Sequence, residues 1–146
     1  MIEQIPPLTF SQIEATTKQI LGEYALFCFL LGSAATPRFN KESDIDLAVF
    51  WNPSIINSDI NDVDFKLKLT ILNKLEEAFL HDIDLVSINN IDVIYGIQVI
   101  STGRILINND PGKLLEWRAH QLSRYPDFKT SRSIIEKNIL NRKKYV

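Results

Sequence analysis

Seven consecutive apolar residues, Ala25 to Leu31, run without a polar interruption and stop at Gly32-Ser33. Such a run is too short to cross a bilayer, which takes about 20 apolar residues as a helix. Bounded by a turn and rich in aromatic side chains, it predicts a strand buried in a sheet. A buried strand needs partners to pair with and elements to cover it, and the rest of the chain supplies both.

Upstream, Thr9-Phe10-Ser11-Gln12 has the form of a capping box, with Ser11 and Glu14 offering a second register. The stripe Ile13, Ile20, Leu21 and Tyr24 then predicts a helix ending near Gly22. After Gly32-Ser33, a short helix or turn leads to Glu42. Ile45, Leu47 and Val49 alternate with Asp44, Asp46 and Ala48, the pattern of a strand with one core face, stopped by Trp51-Asn52-Pro53. Val63 to Leu80 fits both periods, but its unbroken length and its Lys, Leu and Glu content favour a helix. Asp82 to Ser87 reads as a strand, Val93 to Ile100 as a buried helix closed by Gly103, and Arg104 to Ile107 as a short strand. Asp110-Pro111 forms an N-cap with proline at the first helical position, opening a helix through Leu122. Tyr125-Pro126 breaks it, and a last helix is expected from about Asp127 to Asn141. The expected order is αβαβαβαβαα.

A chain of 146 residues suits one domain, 1–146, with a core over 9–108 and C-terminal helices over 110–142. The formal net charge of −2 argues against a nucleic-acid partner, since the one basic cluster is Arg142-Lys143-Lys144. Cys28 is the single cysteine, so no disulfide framework forms, and it is expected as a buried structural thiol. With no apolar run long enough for a membrane helix and no signal-like start, a cytoplasmic location is expected. His81 and His120 lack a second ligand at zinc spacing, and His81 is expected at a helix terminus. Trp51, Trp117, Phe27 and Phe29 are expected to pack, and Lys66, Lys68 and Lys74 to face solvent.

The chemistry concentrates after the first strand. On a strand, Asp44 and Asp46 share a face, about 6.6–6.8 Å apart along the chain. Two carboxylates that close repel, and a divalent cation between them removes the repulsion; Mg²⁺ suits such a site because it takes hard oxygen ligands together with water and phosphate oxygens. Gly32 lets backbone N–H groups approach a phosphate, and Ser33 adds a hydroxyl donor. The GxxxxGK[ST] phosphate loop is absent. His81-Asp82-Ile83-Asp84-Leu85-Val86 repeats the texture of Ser43-Asp44-Ile45-Asp46-Leu47-Ala48. A third carboxylate from that strand would share the metal and accept a proton. Asp82 and Asp84 lie on the same strand face, so spacing alone leaves either in place.

Gly32-Ser33, ten intervening residues and Asp44-Ile45-Asp46 together resemble the GS-x10-DxD signature of the DNA polymerase β-like nucleotidyltransferase superfamily. The block Ser43 to Val49, Asp84-Leu85-Val86, Gly103-Arg104-Ile105-Leu106 and Arg124-Tyr125-Pro126-Asp127-Phe128 are similar to its minimal (MNT) branch, the antitoxins encoded beside HEPN-domain toxins. The resemblance spans roughly residues 10–140. It implies an α+β fold, a small mixed sheet flanked by helices with a helical C-terminal end. It further implies that Gly32 and Ser33 hold the triphosphate of ATP. Asp44, Asp46 and Asp84 would form a catalytic triad binding Mg²⁺, in two ions. The reaction implied is transfer of AMP from ATP to a tyrosine of a cognate HEPN ribonuclease toxin, as in a type VII-like system. The family's GSxAxG is met at Ala35 but departs at its last position, where Pro37 replaces glycine; proline fixes φ and donates no N–H. Two other readings stand beside this one. One is an antitoxin that neutralises by binding alone, motivated by Pro37. The other is modification of a small molecule such as an antibiotic, against which stands the short segment after Asn108.

Overall fold

The computed structural model of the chain describes residues 8–32, 44–56 and 62–124. The predicted turn leading to Glu42 and the predicted last helix, Asp127 to Asn141, lie outside the described residues, as does Pro37.

Helix α1, Phe10–Leu21, starts where the sequence predicts. Thr9 is its N-cap: Gln12 N–H donates to Thr9 Oγ1 at 3.2 Å and Thr9 N–H donates to Gln12 Oε1 at 2.8 Å, closing the capping box. Strand β1, Ala25–Leu31, follows, then β2, Ile45–Trp51. The ambiguous segment is helix α2, Asp62–Phe79. Its buried residues, Ile71, Leu75 and Phe79, fall at the helical spacing of four, while Phe65 and Leu69 are exposed. Strand β3 (Ile83–Ser87), helix α3 (Val93–Thr102), strand β4 (Arg104–Asn108) and helix α4 (Pro111–Ser123) complete the order. As the sequence predicts, Asp110 caps α4 by accepting from Lys113 N–H with proline just inside; Asp92, which the sequence reading did not single out, caps α3 by accepting from Tyr95 N–H. His81 lies just beyond the end of α2, after Leu80, whose φ is 57°. No helix among the described residues is long and apolar enough to cross a membrane.

The sheet runs β3-β2-β1-β4. β1 is antiparallel to both neighbours, whereas β2 and β3 are parallel. Parallel strands cannot be joined by a tight hairpin, and α2 supplies the crossover. This is the expected α+β architecture, a small mixed sheet flanked by helices.

Helices cover both faces. One layer gathers Ile13 and Leu21 of α1 and Ile71, Leu75 and Phe79 of α2 over Cys28, Leu30, Leu47 and Val49. The other sets Val99 of α3 and Leu114 and Trp117 of α4 over Phe27, Phe29, Ala48 and Phe50. Here β2 differs from its one-faced expectation, since Ala48 and Phe50 are buried beneath the second layer. A strand covered on both sides reads as a near-continuous apolar run, and Asp46 is the interruption. The second layer centres on Phe27, stacked on Phe50 at 4.6 Å and tilted against Trp117 at 5.6 Å. Trp117 also donates its indole N–H to the Ile88 carbonyl at 3.1 Å, so its polar edge is satisfied within the core. Past the end of β3, the Asn89 amide accepts from Trp51 N–H at 2.8 Å and donates to Trp51 C=O at 3.0 Å, prolonging the β2 edge with a side chain.

Candidate active site

The register of the sheet builds the site. Leu31, the last residue of β1, pairs with Asp46 near the start of β2, and Asp46 pairs with Asp84 of β3. The end of β1 and two carboxylates therefore lie side by side across three strands. Alternation sends Ile45 and Leu47 into the α1/α2 layer, which puts Asp46 on the opposite face, at the rim of the α3/α4 layer.

Gly32 turns the chain out of β1 with φ +66°, in the left-handed region. A Cβ at this position would sit 2.5 Å from Oδ2 of Asp46. The space a side chain would fill is thus taken by the carboxylate. The first fact favours glycine through the backbone, and the second ties the position to the acid. Ser33 lies outside the described residues.

Asp46 is half-buried, and its pKa is raised, first by burial, then by the charge of Asp84, then by that of Asp44. Asp44 is exposed and sits one residue before β2 rather than within it. Asp84 is exposed on β3. Asp82 is exposed as well and precedes β3; its carbonyl accepts from Ile45 N–H at 2.9 Å. The charges that act on Asp46 are those of Asp84 and Asp44, which makes these three acids one electrostatic group.

Asp46 and Asp84 open into a cleft of about 230 Å³. Its sheet side is Leu31, Gly32, Asp46 and Asp84, and its other side is α3, through Tyr95, Gln98, Val99 and Thr102. Sequence reasoning passed over this helical side. The available signal was the spacing of Tyr95, Gln98 and Thr102, a polar line at i, i+3 and i+7 on an otherwise apolar helix. Burial, then the charges of Asp84 and Asp46, raise the pKa of the Tyr95 phenol, so the hydroxyl keeps its proton beside the acids. Cys28 is fully buried on the other face, and burial pushes its thiol far up, which removes it as a nucleophile.

Among the described residues, no three carboxylate, imidazole or thiol groups converge as a ready-made metal site. The donor chemistry nevertheless fits a hard divalent cation. Asp84 and Asp44 add like charge to the burial that already raises the pKa of Asp46, and a hard divalent cation among these oxygens relieves both.

Comparison with known proteins bears on this arrangement. The sequence profile described as "Polymerase beta, Nucleotidyltransferase" matches residues 14–112. No curated protein sequence matches the chain. Among solved structures, the chain is similar to a chain of a toxin–antitoxin crystallised with AMP-PNP. The TM-score is 0.63 at 20% identity, over 87% of this chain and 98% of that one. It is also similar to a chain of a tri-AMPylated Shewanella oneidensis HEPN toxin in complex with MNT antitoxin, with TM-score 0.58 and 19% identity over 87% and 95% of the two chains. A chain of an MntA-HepT toxin–antitoxin gives TM-score 0.57 at 19% identity, over 87% and 96%. At these identities the likeness is one of fold. The profile, by contrast, spans well over half of the chain and takes in Gly32, Asp44, Asp46 and Asp84, and so the chain belongs to the polymerase β nucleotidyltransferase family.

Proposed function

We propose that this chain is an MNT-type antitoxin, a protein adenylyltransferase that moves AMP from ATP to a tyrosine of a cognate HEPN toxin. The observation that carries the reading is Asp46 seated against a left-handed Gly32 and in register with Asp84. The fold-level likeness to chains of toxin–antitoxin structures, one crystallised with AMP-PNP and one with an AMPylated toxin, supports the substrate and the partner.

In this reading Asp44, Asp46 and Asp84 hold Mg²⁺, which when bound neutralises phosphate charge and screens the carboxylates from one another. Gly32 presents its backbone to the triphosphate, and Ser33 is its hydroxyl donor. Asp84, exposed on β3 and lining the cleft, takes the phenolic proton of the acceptor tyrosine, whose ordinary pKa is about 10. The tyrosine oxygen bonds to the α-phosphorus, the bond from that phosphorus to the β-phosphate bridge breaks, and pyrophosphate leaves. No covalent enzyme intermediate is needed, and Cys28 is buried away from the site.

Incubation with α-labelled ATP, Mg²⁺ and the HEPN protein encoded beside this chain tests the reading. Label moves to a toxin tyrosine with wild type and not with Asp46→Ala. Toxin neutralisation by Asp46→Ala at wild-type level, without label transfer, would instead favour an antitoxin acting by binding alone.

A further inference from the structure

The cleft has two chemically distinct sides. The sheet side carries the acids and Gly32, where a phosphate and its cation belong. The α3 side carries an aromatic ring, an amide and a hydroxyl, with no charged group. Resting on the nucleotidyltransferase reading, we propose that the Tyr95–Gln98–Thr102 line of α3 holds the nucleoside portion of the nucleotide.

Size and chemistry both favour this division. A cleft of about 230 Å³ is smaller than the roughly 300–1,000 Å³ of ordinary ligand pockets, a size that suits one portion of a nucleoside triphosphate. With no cation along it, α3 has no charge to pair with a triphosphate. Ribose hydroxyls and a base edge, in contrast, match an amide and hydroxyls, and a base face matches the Tyr95 ring. Gln98 is exposed, and neither its amide nor the Tyr95 hydroxyl is taken up by a bond to another described residue. Thr102 donates its hydroxyl to the Gln98 carbonyl at 2.7 Å, which leaves its oxygen free to accept.

Packing holds the line in place. Asp92 caps α3 through Tyr95 N–H at 3.0 Å, fixing the first turn. Gly96, on the side of α3 turned to α4, lies so close to Gln121 that a Cβ there would be 2.5 Å from its Oε1. The wall is thus capped at its start and packed closely on α4.

The test separates nucleoside from phosphate without relying on turnover. Calorimetry measures binding of AMP-PNP and of inorganic tripolyphosphate, each with Mg²⁺, to wild type, Gln98→Ala, Tyr95→Ala and Tyr95→Phe. Gln98→Ala and Tyr95→Ala weaken AMP-PNP about five- to tenfold each, the scale of a lost hydrogen bond or ring contact, while tripolyphosphate affinity stays unchanged. Tyr95→Phe keeps the ring and loses less than Tyr95→Ala. An equal loss for both ligands, or unchanged AMP-PNP binding in both alanine variants, overturns the proposal while leaving the nucleotidyltransferase reading standing. Failure of the wild type to bind AMP-PNP at all overturns both.

Discussion

Replacing Gly32 with alanine separates the fold from the chemistry at one position. Two effects act there. The first is conformational: a non-glycine residue at φ +66° is disfavoured by about 1–2 kcal/mol. The second is steric: the new Cβ falls 2.5 Å from Asp46 Oδ2, nearly an ångström inside ordinary contact. The atom it meets is the far end of a side chain, so the carboxylate can rotate away without the sheet moving. Stability therefore falls only by the conformational part, a lowering of the melting temperature of about 3–8 °C for a chain of this size. The displaced carboxylate, however, loses its place beside Asp84, and a misplacement of about 1 Å at a reacting centre is worth on the order of a hundredfold in rate. The expected outcome is a folded Gly32→Ala protein with AMP transfer reduced about a hundredfold or more. Thermal unfolding followed by circular dichroism reads the first quantity and labelled transfer the second. Transfer within threefold of wild type would refute the argument that Gly32 exists to make room for Asp46. A melting temperature lowered by more than about 15 °C would refute the claim that the clash is relieved locally.

Asp46 has a folded-state pKa above its unfolded value, so its sign is opposite to that of a salt-bridged aspartate. The folded state holds the extra proton in the window between the two values, and stability falls as pH rises through it. Asp46→Asn is therefore more stable than wild type at pH 7 in urea unfolding, and the difference vanishes below the ordinary aspartate value of about 3.9. Mg²⁺ raises the melting temperature of wild type and does so less in Asp46→Asn, because only a cation bound to the folded site stabilises it. Asn89→Ala removes both amide bonds to the Trp51 backbone and costs about 1–3 kcal/mol in chemical denaturation. Trp117→Ala empties the centre of the α3/α4 layer and costs about 3–5 kcal/mol by the same measurement.

Much of this architecture is written in local pattern. Thr9 and Gln12, Asp110 and Pro111, and the apolar run Ala25 to Leu31 each specify their element through backbone chemistry within a few residues. Asp46 was likewise conspicuous, since a charge inside an apolar strand demands a reason. What lay beyond local pattern was partnership. That Ala48 and Phe50 face a second helical layer depends on α3 and α4, far along the chain, so alternation in β2 alone gave the wrong number of covered faces. Asp82 and Asp84 share one face, and only the β2–β3 register, which sets Asp84 opposite Asp46, tells their positions apart. Tyr95, Gln98 and Thr102 went unnoticed because a helix of Val and Ile reads as core until one side of it is found lining the cleft. Asn89 escaped for a similar reason: its amide acts as a piece of strand only once Trp51 is beside it.

The central claim is that the acids gathered around Asp46 transfer AMP to a protein. The most direct measurement is intact-mass spectrometry of the neighbouring HEPN protein after incubation with this chain, ATP and Mg²⁺. The account predicts one or more added AMP masses on toxin tyrosine with wild type, and none with Asp46→Ala or Asp84→Ala variants that still melt cooperatively. An unmodified toxin with wild type, or equal modification by the Asp46→Ala variant, would contradict it.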